Sequence, residues 1–153
     1  MCKLSVLILD YEHKVKFINE LKGNPCMFLL GVPYDQNSHH ENMIYLDILS
    51  QKKNSEKCTF VNSVSLLEIL ECTKKIVKNK NPSILLFDDL HCLLNYHQCF
   101  EIINFTNNLK LMDGLKDTQK YFFISKEKNH LEDETKTLTN DLKLFADKFI
   151  ELS

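Results

Sequence analysis

Two adjacent carboxylates end a short apolar run near the middle of the chain. The run covers residues 84–87, Pro82 lies before it, and Asp88 and Asp89 follow it directly. A continuous apolar run of this length predicts a strand that is buried on both faces of a parallel sheet. Ligands of open α/β sheets bind beyond the carboxyl ends of such strands, where paired carboxylates can hold Mg²⁺ through water. Apolar strands that end in Asp are nevertheless common in any α/β protein.

If Asp88 and Asp89 form a Walker B motif, a phosphate-binding loop is expected after an earlier strand. Such a loop needs glycines for close backbone approach, a lysine for the β- and γ-phosphates, and a hydroxyl for Mg²⁺. A second apolar run, residues 26–32, leads into the sequence GVPYDQNS at positions 31–38. In the Gly-x-Pro-Gly-x-Gly-Lys-Thr register, the matching residues are Gly31, Pro33 and Ser38.

The positions that would bind phosphate have changed. Tyr34 and Gln36 replace glycines, Asn37 replaces the lysine, and Asp35 adds a negative charge. Side chains at these positions hinder close backbone approach, and an amide cannot supply the charge of a lysine. We therefore predict a degenerate nucleotide loop with no ATP hydrolysis and at best weak binding of ATP and Mg²⁺. A strand-to-helix turn capped by Ser38 explains the same residues equally well.

Composition limits the class of protein. A length of 153 residues predicts one domain, and an apolar fraction of 44% with ten Phe and five Tyr predicts a packed core. A net charge of −2 and a pI near 6.3 argue against a protein that is basic over its whole surface. No run approaches the ~20 apolar residues that span a membrane. Because no export signal precedes the six cysteines, we predict reduced thiols and a nuclear or cytoplasmic location.

Patterns that predict strands and helices alternate along the chain. The predicted strands cover residues 4–10, 26–32, 57–62, 84–87, 120–125 and 147–152. The predicted helices cover residues 11–22, 38–53, about 65–80, 96–111 and 134–144. This alternation predicts an α/β fold with a doubly wound, mostly parallel sheet of five to six strands and helices on both faces. We assign residues 1–153 to a single domain, with a core at 26–153 and an N-terminal extension at 1–25.

A cluster of His and Cys residues invites a zinc interpretation. His91, Cys92, His97 and Cys99 fall within nine residues. In structural zinc sites two to four residues usually lie between paired cysteines, whereas Cys99 follows Cys92 by seven positions. Packing and surface positions account better for the cluster, so we predict no metal site there.

Taken as a whole, the chain resembles the RecA-like fold. It is most similar to the small recombinase paralogues of eukaryotes, such as the SWIM-protein-associated subunit of Shu-type complexes. The resemblance covers residues 26–153 and rests on GVP at 31–33, LLFDDL at 85–90 and KFIEL at 148–152. Several members of that group have lost one or both Walker motifs. The resemblance therefore implies a non-catalytic subunit that assists recombinase filaments on single-stranded DNA in homologous-recombination repair.

The resemblance also implies partners and contact residues. A SWIM-domain protein or a recombinase is the expected partner, and single-stranded DNA is expected to be reached through the complex. Lys126 and Lys128 lie in a loop at which RecA-like proteins contact DNA, but acidic residues follow closely. Tyr34 is the expected partner contact, because the face that bears the nucleotide loop commonly meets a neighbouring subunit.

Two other functions stay open. RecA-like Elongator subunits that lack catalytic motifs carry a comparable apolar-Asp-Asp-Leu strand, which implies a structural role in a tRNA-modification complex. A small P-loop-like NTPase of unknown substrate is the third possibility.

Overall fold

The computed structural model describes residues 4–20, 25–29, 44–47, 58–60, 65–80, 83–88, 90–112, 114–115, 118–126 and 131–152. Within this part of the chain, seven parallel strands form one sheet. The strands are β1 (Leu4–Leu9), β2 (Pro25–Leu29), β3 (Ile44–Asp47), β4 (Cys58–Phe60), β5 (Ile84–Asp88), β6 (Gln119–Ser125) and β7 (Lys148–Glu151). Their order across the sheet is β4-β3-β2-β5-β6-β1-β7.

Four α-helices are described, with a 3₁₀ helix at Leu90–Asn95 directly after β5. They are α1 (Tyr11–Glu20), α2 (Leu66–Lys80), α3 (Cys99–Leu111) and α4 (Glu132–Phe145). The start of α3 is fixed by a capping box, in which the Gln98 backbone N–H donates to the Glu101 carboxylate at 3.1 Å. Three acidic residues open α4, where negative charge suits the helix dipole.

Alternating side chains of the central strands supply two cores, one on each face of the sheet. The larger core centres on Phe87, which meets Phe105 of α3 and Phe122 of β6 edge-to-face, each at 5.5 Å between ring centroids. Side chains of α2, α3 and α4 complete it. The smaller core lies on the opposite face, where Phe17 of α1 packs on Phe123 and its neighbours. Full burial of a ring such as that of Phe87 stabilises the fold by about 1.5–3 kcal/mol.

When the chain reverses its direction across the sheet, the helices that follow its strands change from one face to the other. The chain passes from β1 towards the β4 edge, with α1 on the smaller-core face. It then returns from β4 to β7, with α2, α3 and α4 on the other face. This relation holds when every crossover has the same hand, as parallel sheets require. The sheet is therefore doubly wound.

A lysine at the amino end of β6 belongs to the larger core. Lys120 is fully buried, and its Nζ donates hydrogen bonds to the carbonyl oxygens of Leu115 at 2.5 Å and Thr118 at 3.1 Å. Buried ammonium groups need such acceptors, because their water shell has been removed. Lys120 thus fixes the turn that leads into β6.

Two sequence predictions need correction. The predicted helix 38–53 is wrong where it is described, since Ile44–Asp47 is strand β3. Backbone pairing with β2 on one side and β4 on the other outweighs a weak helical pattern in an Ile-Tyr-Leu segment that also suits a strand. With this extra strand the sheet has seven strands, whereas five to six were predicted.

The second correction concerns the N-terminal extension assigned to residues 1–25. Strand β1 lies inside the sheet, between β6 and β7, and pairs with both. Residues 4–20 therefore belong to the sheet and its helix layer. The remaining predicted strands and helices agree with the structure to within a few residues wherever it describes them.

Candidate functional site

The carboxyl edge of the sheet has two places where ligand-binding crevices form. Between β2 and β5 the strand order reverses, and between β6 and β1 the following helices leave for opposite faces. Such switch points are the usual ligand sites of open α/β sheets. The strands that precede most of the sequence-predicted positions, β2 and β5, meet at the first crevice. Described side chains line the second crevice.

At the first crevice, backbone pairing sets Leu29 of β2 beside Asp88 of β5. The structure therefore places the end of β5 at Asp88 next to the strand that precedes the predicted nucleotide loop. The sequence-predicted positions that lie outside the described residues are Gly31, Pro33, Tyr34, Gln36, Asn37, Ser38, Asp89, Lys128 and the side chain of Asp88. Lys126 is described and belongs to the second crevice.

The second crevice begins where β1 runs directly into α1. Asp10 is the one residue between Leu9 and the helix, and its Oδ1 accepts the His13 backbone N–H at 2.8 Å. The same oxygen lies 2.6 Å from His13 Nδ1. A carboxylate in this N-cap position satisfies an N–H group that the helix leaves without an intrahelical partner. The Asp10 carboxylate therefore supplies the negative charge at the N-terminus of α1.

Lys126 joins this arrangement from the adjacent strand. Its backbone N–H donates to the Leu9 carbonyl oxygen at 3.1 Å, which extends the β6–β1 ladder by one bond. Hydrogen bonds from the backbone and side chain of His13 hold the pKa of Asp10 below its ordinary value. The nearby positive charge of Lys126 adds to this effect.

A groove of about 460 Å³ opens on the larger-core face of the same crevice. Its floor consists of Ile124, Ile8 and Glu151, which are register partners on β6, β1 and β7. Ser125 and Lys126 line its upper end. Its wall is α4, whose contributing residues recur at helical spacing: Glu132, Thr135, Lys136, Thr139, Asn140 and Lys143. The groove therefore combines a floor that is apolar at Ile8 and Ile124 with a charged and hydroxyl-rich wall.

Two members of the His and Cys cluster, Cys99 and His97, make separate contacts. Cys99 Sγ donates to the Glu134 carbonyl oxygen at 3.4 Å, whereas His97 Nδ1 lies 3.8 Å from a Glu101 carboxylate oxygen. No group of three or more His, Cys, Asp or Glu residues suited to a metal occurs in the described ranges. Burial raises the pKa of the Cys72 and Cys99 thiols, so both favour the protonated form.

Among the residues of the second crevice, Lys126 was predicted as a contact from the sequence and the others were not. Asp10 stands between an apolar strand and a helix, which is a recognisable N-cap signal. Assigning residues 1–25 to an extension removed it from consideration. The lysine and threonine positions of α4 carry no such signal, because only the packing of α4 over β1 and β6 turns them into a groove wall.

A scan against protein-family models finds no match to this chain, and a search among curated proteins likewise finds none. None of the described helices is long and apolar enough to cross a bilayer.

Proposed function

We propose that the protein is a non-catalytic RecA-like subunit that works by contact within a larger assembly. The observation that carries this proposal is the Asp10 carboxylate, which caps α1 at the crevice between β1 and β6. In nucleotide-binding α/β domains, a helix N-terminus at such a crevice receives phosphate. Here a phosphate would meet a fixed negative charge that already occupies the cap.

Loop length supports the same conclusion. A phosphate-binding loop needs several residues between its strand and its helix, so that successive N–H groups can surround the phosphate. Asp10 alone separates β1 from α1. At the other crevice, the substitutions at Tyr34, Gln36 and Asn37 argue against strong nucleotide binding on chemical grounds. Neither crevice thus supports the alternative of a small P-loop-like NTPase.

The proposed task is to assist recombinase filaments on single-stranded DNA during homologous-recombination repair, in the nucleus or cytoplasm. The all-parallel sheet and the position of Asp88 at the end of β5 support the RecA-like interpretation. A SWIM-domain protein or a recombinase would be the partner. DNA would be reached through the complex, because Lys126 shares its groove with Glu132 and Glu151.

A second candidate is a structural subunit of an Elongator-type complex that modifies tRNA. The direct β1–α1 junction favours it, since a missing loop fits subunits that lack catalytic motifs altogether. The apolar strand Ile84–Asp88, followed by Asp89 and Leu90, also matches the strand that those subunits carry. Both candidates share the central claim that the domain acts without turning over nucleotide.

Affinity purification of the tagged chain from its native cells, with mass spectrometry, separates the two candidates. Co-purification of a SWIM-domain protein or recombinase supports the first, and co-purification of Elongator-type subunits supports the second. Tyr34→Ala is expected to weaken association with the partner by ~1–3 kcal/mol. The matched control is Tyr96→Ala, which removes an exposed aromatic ring.

An ATPase assay on the purified chain tests the shared claim. We expect turnover at background, and Asp88→Ala should change folding or partner binding without changing turnover. Hydrolysis above background by the wild-type chain that is abolished in Asp88→Ala would contradict a non-catalytic role.

A further inference from the structure

We propose that the groove between α4 and the carboxyl ends of β1, β6 and β7 binds a small phosphorylated polyol, such as a pentose phosphate. This site is distinct from the N-terminus of α1, where a nucleotide phosphate was considered above. The groove lies on the opposite face of the sheet from α1. The inference is independent of the assembly role.

The place and size of the groove support a ligand site. It lies where β6 and β1 send their helices to opposite faces, which is the general position of ligand crevices in open α/β sheets. Its volume of about 460 Å³ falls in the range of small-molecule pockets. The Ile8 and Ile124 side chains give it an apolar floor of the kind that such pockets have.

The charges of the lining favour an anion. Three lysines and two glutamates line the groove, which leaves one positive charge in excess. Lysine binds phosphate as a point charge on a flexible stem, which suits a groove with ammonium groups at both ends. Lys126 stands at the strand ends, whereas Lys143 stands further along α4, with its Nζ 4.6 Å from the Phe149 ring centroid.

The hydroxyl groups of the wall define the rest of the ligand. Thr135 Oγ1 donates to the Leu131 carbonyl oxygen and Thr139 Oγ1 donates to the Thr135 carbonyl oxygen, each at 2.8 Å. A hydroxyl has one proton, so both oxygens face a ligand as acceptors only. Glu132 and Glu151 are acceptors as well. A ligand must therefore bring its own O–H donors beside its anionic group, and a phosphorylated polyol does both.

The test is titration of the ¹⁵N-labelled chain with ribose 5-phosphate, followed by amide shifts in NMR spectra. We expect saturable shifts in α4 and at Ser125 and Lys126. Ribose and inorganic phosphate should each bind about tenfold more weakly than ribose 5-phosphate, because each offers half of the required contacts. Adenosine 5′-monophosphate distinguishes a free sugar phosphate from a nucleotide source: both carry the same ribose phosphate group, and binding of either supports the site.

Variants locate the binding. Lys136→Ala and Thr139→Val should each weaken the binding of ribose 5-phosphate severalfold. The double variant should weaken it by about tenfold or more. The control is Lys74→Ala on α2, which removes an exposed lysine paired with Glu71 at 3.3 Å. Absence of saturable shifts would overturn the proposal. Equal weakening in the Lys74→Ala control would also overturn it, and so would equal affinity for phosphate alone.

Discussion

Lysines stand at both ends of β6, and the chain uses them in opposite ways. Lys120 is fully buried and its ammonium group is held by two carbonyl oxygens of the preceding turn. Lys126 is half-buried at the carboxyl edge, lines the groove and acts on Asp10 through its charge. A buried ammonium group has to be satisfied by the protein itself, so Lys120 serves the architecture. Lys126 is only partly buried at the open edge, so its ammonium group can be reached by a ligand.

The largest expected effect comes from removing the buried lysine. Lys120→Ala should destabilise the fold by about 3 kcal/mol, because two buried carbonyl oxygens lose a charged donor and a cavity remains. Lys120→Met, which fills the cavity, should cost less, about 1–2 kcal/mol. Urea denaturation monitored by circular dichroism measures both values. Stability unchanged in both variants would mean that the carbonyl oxygens find other donors, and the comparison would fail.

A smaller effect is expected at the N-cap beside Lys126. Asp10→Ala removes the acceptor of the His13 N–H, and the melting temperature should fall by less than in Lys120→Ala. Asp10→Asn, which keeps a capping oxygen, is the matched control and should stay closer to wild type. Differential scanning calorimetry compares the three proteins. An Asp10→Asn protein as unstable as Asp10→Ala would show that charge, and not cap geometry, carries the effect.

The charge of Asp10 should make the stability of the fold depend on pH in the acid range. A carboxylate whose pKa is lowered on folding stabilises the folded state above its ordinary pKa of about 4, and this contribution disappears as the pH falls through the lowered value. The stability difference between wild type and Asp10→Asn should therefore be present near neutral pH and shrink below about pH 4. Urea denaturation at several pH values measures it. A difference that grows in acid would contradict the assigned shift.

The smallest effect on stability is expected at the open end of β6. Lys126→Ala should change the free energy of unfolding by no more than about 0.5 kcal/mol, because its ammonium group is not part of the core. In the NMR titration, the same variant should bind ribose 5-phosphate severalfold more weakly than the wild type. A destabilisation as large as that of Lys120→Ala would show that both lysines are structural.

These two lysines also show how far the sequence could be interpreted. Residues 120–125 predict a strand correctly, since a run rich in aromatic residues suits a central strand. The pattern does not show which flanking lysine is buried, because burial of Lys120 depends on the turn at Leu115 and Thr118. The alternation of elements gave the parallel α/β architecture, because right-handed crossovers leave few other arrangements.

Errors arose where tertiary pairing decides the structure. Nothing local in residues 44–47 reveals that a strand on each side will pair with them. The interior place of β1 is likewise set by partners more than a hundred positions away. The groove wall on α4 has the same origin, since a polar helix stripe is usually a solvated surface.

The interior place of β1 has a consequence for how the domain is made. The Leu4 backbone N–H donates to an Asp147 carboxylate oxygen at 2.9 Å across 143 positions, and Leu4 also pairs with Lys120. During synthesis, both edges of this apolar strand stay unpaired until β6 and β7 leave the ribosome. Contacts of such long sequence separation slow folding and expose partly folded chains to aggregation. We therefore expect the nascent chain to depend on chaperones until β6 and β7 have emerged.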